Sequence, residues 1–459
     1  MRDKRINQDL KNRVFLVLIL SALLLTFFHI GNLFKQPYMQ GYDSYYHLST
    51  IKNLKEGNIA TDIITIYPLD MILSNLDYTD FYIRFLPFIL SFLNLILIIS
   101  ILKKICNDNQ QIFLTLLFFI ASPFFIYTYG TYNETALPVF FLLISANFLL
   151  RNKYLISTIP LALSFLSNQN FFIAIILLLV ILYDRLKGKS VLIPLITITG
   201  ITYIYTFVNN PVIENFSPFS ILSLYISDFG LYAGLGIFNI ILAFMGILIS
   251  WERKKDYSII YFSLISLFIS VLYNKNMLVF IHIMLAYFSG YAFTKIYNSK
   301  WQSSILKNYL LLLIVCGVIF STVSYMNKFS SEGPNNDEII SLKWLSDKEG
   351  NVLSHHKYGF LIDYYSGKKT YTDQRYYYNS KDKLKIRNAE KIFATRNLDE
   401  VSSFLINENI KYIWINEEMK SGLVWRKTDE GILLLLKNSD SFTLAYKRNE
   451  VEIWQFNNI

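Results

Sequence analysis

Residues 85–101 read FLPFILSFLNLILIISI, a run without a single charged side chain. A run of this kind belongs in a membrane, because about 20 mainly apolar residues cross a hydrocarbon core about 30 Å thick. Comparable runs recur along residues 1–329, and the sequence therefore predicts a polytopic α-helical membrane protein with about 11 transmembrane helices. The predicted spans are 14–34, 84–102, 111–128, 135–150, 154–167, 170–184, 190–208, 229–250, 257–274, 277–297 and 306–326. The fifth and sixth spans are short, and they fit either a tight helical hairpin or a broken pair that does not fully cross.

The composition excludes several classes of protein. Hydrophobic residues make up 53% of the 459 residues and charged residues only 17%, whereas an average soluble domain has about 25% charged residues. Two cysteines cannot form a disulfide framework. The net charge of +9 lies entirely in residues 1–329, which argues against a nucleic-acid partner. A soluble enzyme, a disordered tail and a disulfide-rich domain are all poor fits.

Lysine and arginine in the short loops predict the orientation. If the N-terminus is cytoplasmic, 18 of the 24 Lys and Arg residues in 1–329 fall on the cytoplasmic side. An odd number of spans then places the residues after the last span outside. We expect a multi-pass protein of the cell membrane whose C-terminal region is extracytoplasmic.

The C-terminal region, residues 330–459, differs in character from the rest. It follows a turn-rich linker, Ser330 to Asn336, and its patterns alternate between strand and helix. We therefore predict two domains, a transmembrane domain at 1–329 and a small α/β domain at 330–459. The predicted strands are 351–354, 370–372, 411–415, 442–446 and 451–456, and the predicted helices are 338–345, 358–365 and 399–406.

The densest group of reactive side chains follows the first span, in the sequence Gly41-Tyr42-Asp43-Ser44-Tyr45-Tyr46-His47-Leu48. Apolar residues continue at helical spacing, which predicts a helix along the membrane interface. Asp43 and His47 are four residues apart and could share one face. Such a pair suits general-base catalysis or binding of a lipid phosphate. A purely structural role is the alternative, because Asp43 is a natural N-cap for the helix.

Two other predicted external loops contain glutamate, at Glu134 and Glu214. An acid near the membrane that lacks a basic neighbour is a candidate base or metal ligand, although acids also collect outside simply because inner loops are basic. Lys52, Lys55 and Arg84 are on the same predicted side. They suit a lipid phosphate, but reaching toward headgroups is the commoner role of such residues.

Taken together, these features resemble the GT-C membrane glycosyltransferases, and more narrowly the catalytic subunit of oligosaccharyltransferases and its archaeal relatives. Residues 41–48 are similar to that family's Gly-x-Asp-x-Tyr-Tyr-His motif, and residues 130–134, Gly-Thr-Tyr-Asn-Glu, resemble its second-loop Gly-Ser-Tyr-Asp-Asn-Glu motif. Residues 344–373 resemble the start of its C-terminal domain. The resemblance implies a GT-C fold and a sugar donor linked to polyprenyl phosphate.

The resemblance also assigns roles to residues. It implies that Asp43 and Glu134 are catalytic and that the same two carboxylates could hold Mg²⁺ or Mn²⁺, although the family includes metal-independent members. Substrate-binding roles are implied for His47, Tyr46, Asn133, Glu214, Arg84 and Tyr358. The implied partners are the lipid-linked donor, membrane lipids, and a glycan, lipid or protein acceptor.

The chain departs from the family at three places. Residues 355–359 read His-His-Lys-Tyr-Gly where the family has the acceptor-reading Trp-Trp-Asp-Tyr-Gly. Asn133 stands where the family has an acid, and the loop containing Glu214 is short for clamping a peptide. These departures favour single-sugar transfer over transfer of a whole oligosaccharide to asparagine. They also leave two alternatives open, a non-catalytic scaffold that binds lipid-linked glycan and a lipid-linked glycan transporter.

Overall fold

The structure is a computed structural model, and it describes residues 12, 15–26, 38–57, 68–77, 79–168, 171–181, 200, 225–228, 234–272, 275–330, 333–373, 380–427 and 429–457. Apart from residue 200, the predicted seventh span at 190–208 lies outside these residues, and so does Glu214. For Asp43 the backbone is described and the side chain is not.

The apolar part of the chain is helical wherever it is described. Its helices are α1 (Phe15–Thr26), α2 (Asp43–Lys55), α3 (Pro68–Leu73), α4 (Thr79–Ile105), α5 (Asn109–Ile120), α6 (Pro123–Gly130), α7 (Ala136–Leu149), α8 (Tyr154–Ser167), α9 (Phe172–Ile181), α10 (Ile237–Ser250), α11 (Lys254–Val271), α12 (Leu278–Asn298) and α13 (Ser304–Ser330). Helices therefore lie within ten of the eleven predicted spans.

Length and hydropathy together single out fewer of these helices as membrane spans. Within the described residues, α4, α12 and α13 are long and apolar enough to cross a bilayer. Helices α5 and α6 pass the test only as a pair, bent by 66° where Pro123 begins the second helix. Proline cannot continue the hydrogen-bonding of the preceding turn, which accounts for a sharp break at that position. A membrane-protein architecture is thus supported, while the number of eleven spans and their orientation stay predictions.

Glycines let helices of the bundle approach each other closely. A Cβ atom on Gly246 of α10 would lie 2.2 Å from the carbonyl oxygen of Phe288 in α12, and one on Gly290 of α12 would lie 2.3 Å from Thr115 Oγ1 in α5. Small residues at such contacts are typical of membrane helices, which gain stability from close packing rather than from exclusion of water. Helix α12 is consequently held between α10 and α5.

The C-terminal region forms a small sheet covered by helices, in agreement with the predicted α/β class. Its strands β1 (Asn351–Leu353), β2 (Ile410–Ile415), β3 (Phe442–Arg448) and β4 (Val451–Phe456) lie in the order β1-β2-β4-β3, parallel between the first two and antiparallel elsewhere. Its helices are α14 (Asn336–Ser346), α15 (Gly359–Ser366), α16 (Ser380–Ala394), α17 (Leu398–Asn407) and α18 (Ile432–Leu435).

The agreement has two exceptions. Residue 370 makes a single bridge to Val352 instead of forming a strand over 370–372. Helices α16 and α18 were not predicted, because α16 is strongly polar and α18 is only one turn long.

The start of α14 is set by a capping box, in which Asn335 and Glu338 each accept a backbone N–H of the other. The domain division at 329/330 stays a prediction.

Candidate functional site

Residues 38–57 and 68–77, which include α2 and α3, are called the first loop here. The chain turns sharply within this loop, just before α2. Gly41 has φ +74°, a left-handed conformation that glycine adopts without steric strain. The helix then begins at Asp43, and the N-cap position belongs to Tyr42. The prediction that Asp43 is the N-cap is therefore wrong by one position, because residue 42 already has helical backbone angles.

One turn further along α2, His47 is fixed by a buried carboxylate. Its Nδ1 lies 2.7 Å from Asp70 Oδ2, and the hydroxyl of Tyr132 donates to Asp70 Oδ1 over 3.0 Å. His47 is 1% exposed and Asp70 0% exposed. A carboxylate on one ring nitrogen sets the tautomer and orientation of a histidine, so that the other nitrogen is presented in a defined direction. The arrangement suits a histidine that binds or orients a reactant.

The second loop, residues 131–135, packs directly against the turn before α2. A Cβ atom on Gly41 would lie 3.4 Å from Thr131 Cγ2, and Ser44 Oγ donates to the Tyr132 carbonyl over 3.3 Å. These contacts bring the backbone of the first motif, which includes Asp43, against the backbone of the loop that contains Glu134. The two sequence motifs therefore lie in contact with each other.

Asn133 holds the second loop together. Its amide nitrogen donates to the carbonyls of Tyr127, Thr128 and Thr131 at 3.0–3.2 Å, and its oxygen accepts the backbone N–H of Thr135 at 2.9 Å. A carboxylate here would face three carbonyl oxygens that it cannot bond. The asparagine therefore fits its surroundings better than the acid found in the family it resembles, and its hydrogen bonds are made to the end of α6 and to its own loop.

The other predicted residues differ in their surroundings. Glu134 is half-buried in the second loop, and Tyr46 is half-buried with its ring 4.9 Å from that of Phe360. Arg84 is half-buried on α4, near enough to Tyr365 for its charge to act on that phenol. Glu214 lies outside the described residues. The site as described therefore consists of the first loop, the second loop and the C-terminal region that covers them.

Two lysines that the sequence offers as ligands of a lipid phosphate form hydrogen bonds to backbone carbonyls of the protein. Lys52 Nζ donates to the Tyr364 carbonyl over 3.0 Å, and Lys55 Nζ donates to the Leu76 carbonyl over 2.7 Å. Both lysines thus fasten α2 to its neighbours. The role of Arg84 as a phosphate ligand stays a prediction.

The C-terminal region reaches the site through residues 355–359. Lys357 Nζ bonds both oxygens of Glu418 at 2.6 and 2.7 Å and lies 4.8 Å from the ring centre of Tyr42, beside Asp43. Tyr358 is fully buried, packs edge-on against Tyr42 at 5.1 Å, and donates its hydroxyl to Glu418. Burial of this phenol raises its pKa, so it remains a neutral donor. The surviving Tyr-Gly of the family motif therefore connects the C-terminal region to the first loop.

Helix α15 extends the same contact along α2. Ser49 Oγ donates to Asp363, and the ring of Tyr45 lies 6.0 Å from Tyr364 and 5.8 Å from Tyr365. The second loop and α15 therefore pack against α2 and set its position. Because α2 contains Asp43 and His47, the same contacts position these two residues. A movement of the C-terminal region would move the motif helix with it.

The two adjacent histidines, His355 and His356, are partly buried. His355 is partly buried, its Nδ1 accepts the backbone N–H of Lys357 over 3.3 Å, and its ring lies 4.0 Å from that of His356. Burial lowers the pKa of His355 to about 3, and burial lowers that of His356 to about 4 against the opposing charge of Asp373. Both imidazoles are neutral near pH 7.

This lowered pKa predicts acid sensitivity of the fold. The stabilisation from a neutral His355 is complete above pH 6.5 and is lost as the pH falls toward 3. The variant His355→Asn keeps an acceptor for the Lys357 N–H but cannot titrate. We expect wild type and variant to unfold at similar temperatures at pH 7.5, and the variant to be more stable at pH 5 by about 2 kcal/mol. Thermal unfolding in detergent at several pH values measures this, and equal acid sensitivity would contradict it.

A metal site is not complete within the described side chains. They contain no group of three or more His, Cys, Asp or Glu residues that could hold a metal ion. The predicted pair for Mg²⁺ or Mn²⁺ is Glu134 with Asp43, whose side chain is outside the description. One or two carboxylates fit Mg²⁺, which usually keeps several waters and takes further oxygens from a substrate phosphate.

Several residues of the site were missed as such by the sequence. Asp70 is one of six acids in the first predicted loop, and nothing in its spacing relates it to His47. Gln40, Tyr42, Tyr132, Lys357 and Glu418 gave no separate signal. These residues meet through contacts between segments far apart in the chain, which periodicity cannot reveal.

The chain shares its fold with solved structures of an archaeal oligosaccharyltransferase. Solved structures of the Archaeoglobus fulgidus oligosaccharyltransferase superpose on this chain. The form tethered to an acceptor peptide with the NVT sequon has a TM-score of 0.60 at 14% identity, covering 88% of this chain and 69% of that chain. The complex of AglB from the same organism with an inhibitory peptide and dolichol-phosphate has a TM-score of 0.60 at 14% identity, covering 89% and 70%.

A third structure of the same enzyme contains Zn and sulfate, with a TM-score of 0.58 at 15% identity over 88% of this chain and 68% of that one. No family model matches this sequence, and no curated protein matches it. At identities of only 14–15%, TM-scores of 0.58 and 0.60 show a shared fold. They confirm the GT-C-like resemblance that the first-loop motif indicated.

Proposed function

We propose that this chain is a membrane glycosyltransferase that moves a sugar from a polyprenyl-phosphate-linked donor to an acceptor at the outer face of the membrane. The observation that carries the proposal is the junction of Gly41–His47 with the second loop, in a chain with the fold of an oligosaccharyltransferase. The solved oligosaccharyltransferase structures that share this fold include one with a tethered acceptor peptide and one with an inhibitory peptide and dolichol-phosphate. A polyprenyl carrier also fits a site at the membrane, because nucleotide sugars are cytoplasmic.

In the proposed reaction, an acceptor hydroxyl or amide attacks the anomeric carbon of the donor sugar. The bond from that carbon to the phosphate oxygen breaks, and polyprenyl phosphate leaves with the bonding electrons. Asp43 takes the acceptor proton as general base. Glu134 lies in the adjoining loop and assists there. Glu214 and Tyr46 are proposed substrate contacts.

His47 and Arg84 are the proposed ligands of the donor phosphate. His47 is held in a defined orientation by the contact of its Nδ1 with Asp70, and its ring is the first proposed phosphate contact. Arg84 supplies a second positive group on α4. If Mg²⁺ or Mn²⁺ binds, Asp43 and Glu134 would hold it, and the ion would neutralise charge on the departing phosphate.

The test is the surface-glycan mass profile of a deletion strain that carries the intact gene, Asp43→Asn, or the control Asp77→Asn. Asp77 is an exposed acid of the same loop. We expect the deletion and Asp43→Asn to lose one defined sugar mass, because removing a general base slows a reaction about 10²–10⁴-fold. Asp77→Asn should restore the profile. Protein levels in membranes must be equal in all three strains.

A non-catalytic protein that binds lipid-linked glycan is the second candidate. The observation that favours it is Asn133, whose hydrogen bonds are satisfied by α6 and its own loop at a position where the family has an acid. If the deletion loses the sugar mass and Asp43→Asn restores it fully, the scaffold function replaces the enzyme. A profile unchanged by the deletion itself would overturn the glycosyltransferase proposal and leave transport as the remaining alternative.

A further inference from the structure

Gln40 is a buried side chain whose polar atoms are unused. It is 7% exposed, and neither Nε2 nor Oε1 of its carboxamide has a hydrogen-bond partner among the described residues. A buried polar group without a partner is unfavourable, and such groups in folded proteins usually have a functional explanation.

The backbone around Gln40 is well fixed, so the unused amide is not the result of a loose segment. Its carbonyl accepts the Ser44 hydroxyl over 3.0 Å, and the next carbonyl, of Gly41, accepts the Ser44 N–H over 3.2 Å. Asn133, on the other side of the same junction, uses its nitrogen three times and its oxygen once. At this junction, both polar atoms of the Asn133 side chain are hydrogen-bonded, whereas neither polar atom of the Gln40 side chain is.

Gln40 lies where the two loops of the site meet. The residue after it packs against Thr131, and Asp43 follows three residues later. Gln40 therefore belongs to the segment that meets the second loop, beside the place where the proposed reaction occurs.

We propose that the Gln40 carboxamide binds hydroxyl groups of the transferred sugar, and this inference rests on the proposed glycosyltransferase function. The chemistry of the amide selects the ligand. A phosphate offers only acceptors and would satisfy Nε2 alone, and a polyprenyl chain would satisfy neither atom. A sugar hydroxyl both donates and accepts, so neighbouring hydroxyls can satisfy both atoms. Gln40 thereby recognises the sugar while other residues hold the phosphate.

The test compares wild type with Gln40→Met, which keeps the length of the side chain and removes both polar atoms. The control is Gln111→Met, at the end of the α5–α6 pair remote from the second loop. Without lipid, we expect Gln40→Met to unfold a few degrees above wild type, because an unpartnered buried amide has been removed. A lower unfolding temperature would indicate a structural role, for example through a buried water, and would overturn the proposal.

The second measurement is the rise in unfolding temperature on adding lipid to the purified full-length protein. The probes are dolichyl phosphate and the lipid-linked glycan pool extracted from the deletion strain. We expect dolichyl phosphate to stabilise wild type and Gln40→Met equally. The glycan pool should bind wild type and Gln111→Met alike, and should bind Gln40→Met roughly tenfold more weakly.

Each outcome distinguishes this inference from the proposed function. If the glycan pool stabilises wild type and Gln40→Met equally, the role of Gln40 is wrong and the glycosyltransferase proposal stands. If Gln40→Met also loses its response to dolichyl phosphate, the residue binds phosphate and the sugar assignment is wrong. If neither lipid stabilises wild type and the deletion leaves the glycans unchanged, both proposals fail.

Discussion

Replacing Asp70 with alanine is expected to destabilise the protein by about 3–5 kcal/mol, because the change removes one carboxylate from a fully buried group of polar side chains. Asp70 accepts from Tyr132 over 3.0 Å and pairs with His47 Nδ1 over 2.7 Å. Both partners would have to reorganise without water, since His47 and Tyr132 are each 1% exposed. Thermal unfolding in detergent measures the loss, with Asp77→Ala as the control for an acid of the same loop.

The variant Asp70→Asn separates the role of this residue in orientation from its role in stability. An amide keeps the size of the carboxylate but presents N–H₂ to one partner, which favours the wrong tautomer of His47. We expect a folded protein in which sugar transfer falls about 10–100-fold, as is typical for residues that orient an active histidine. Full restoration of the glycan profile by this variant would show that the His47–Asp70 pair serves only the fold.

Replacing Gly359 with alanine is expected to weaken the contact between the C-terminal region and the site. An added Cβ would lie 2.5 Å from Asp373 Cβ and 2.6 Å from the Thr372 carbonyl oxygen, so the backbone must move. Overpacking of this kind costs about 1–3 kcal/mol. Gly359 follows Tyr358 directly, so the shift would disturb the packing of Tyr358 on Tyr42, next to Asp43. We therefore expect lower thermal stability together with reduced transfer.

A glycine at the other end of α15 supplies the matched control. Gly367 has φ +65° and nothing within 4 Å of an added Cβ. Asparagine tolerates this backbone conformation, so Gly367→Asn should unfold within a degree or two of wild type. If Gly359→Ala were as harmless as Gly367→Asn in unfolding temperature and glycan profile, close packing at residue 359 would have no part in holding the site.

The local patterns of the sequence predicted most of the regular structure that is described. Alternating side chains in 442–446 and 451–456 correspond to β3 and β4, and the apolar run at 84–102 corresponds to α4. Such elements are predictable because a strand or a helix imposes its own period on residues that are close in sequence. The helix α16 was missed because polar and charged residues dominate it, although Ile386, Ala389 and Phe393 form a short buried face at helical spacing.

The predicted site was correct in its segments and incomplete in its contacts. The motif at 41–48 indicated Asp43 and His47, and the second loop indicated Glu134. Nothing in the sequence indicated that Asp70 bonds His47 from 23 residues away, or that Lys357 lies over Tyr42 from more than 300 residues away.

The sequence by itself determined the membrane-helical class, the small α/β region and the motif that resembles a GT-C glycosyltransferase, since composition, periodicity and short motifs are local properties of the chain. Contacts between distant segments were needed to show that the two loops meet, that Asp70 holds His47, that Asn133 bonds both α6 and its own loop, and that Gln40 lacks a partner among the described residues. The physical reason is that hydrogen bonding and burial depend on which distant segments pack together, and one-dimensional patterns do not specify that packing.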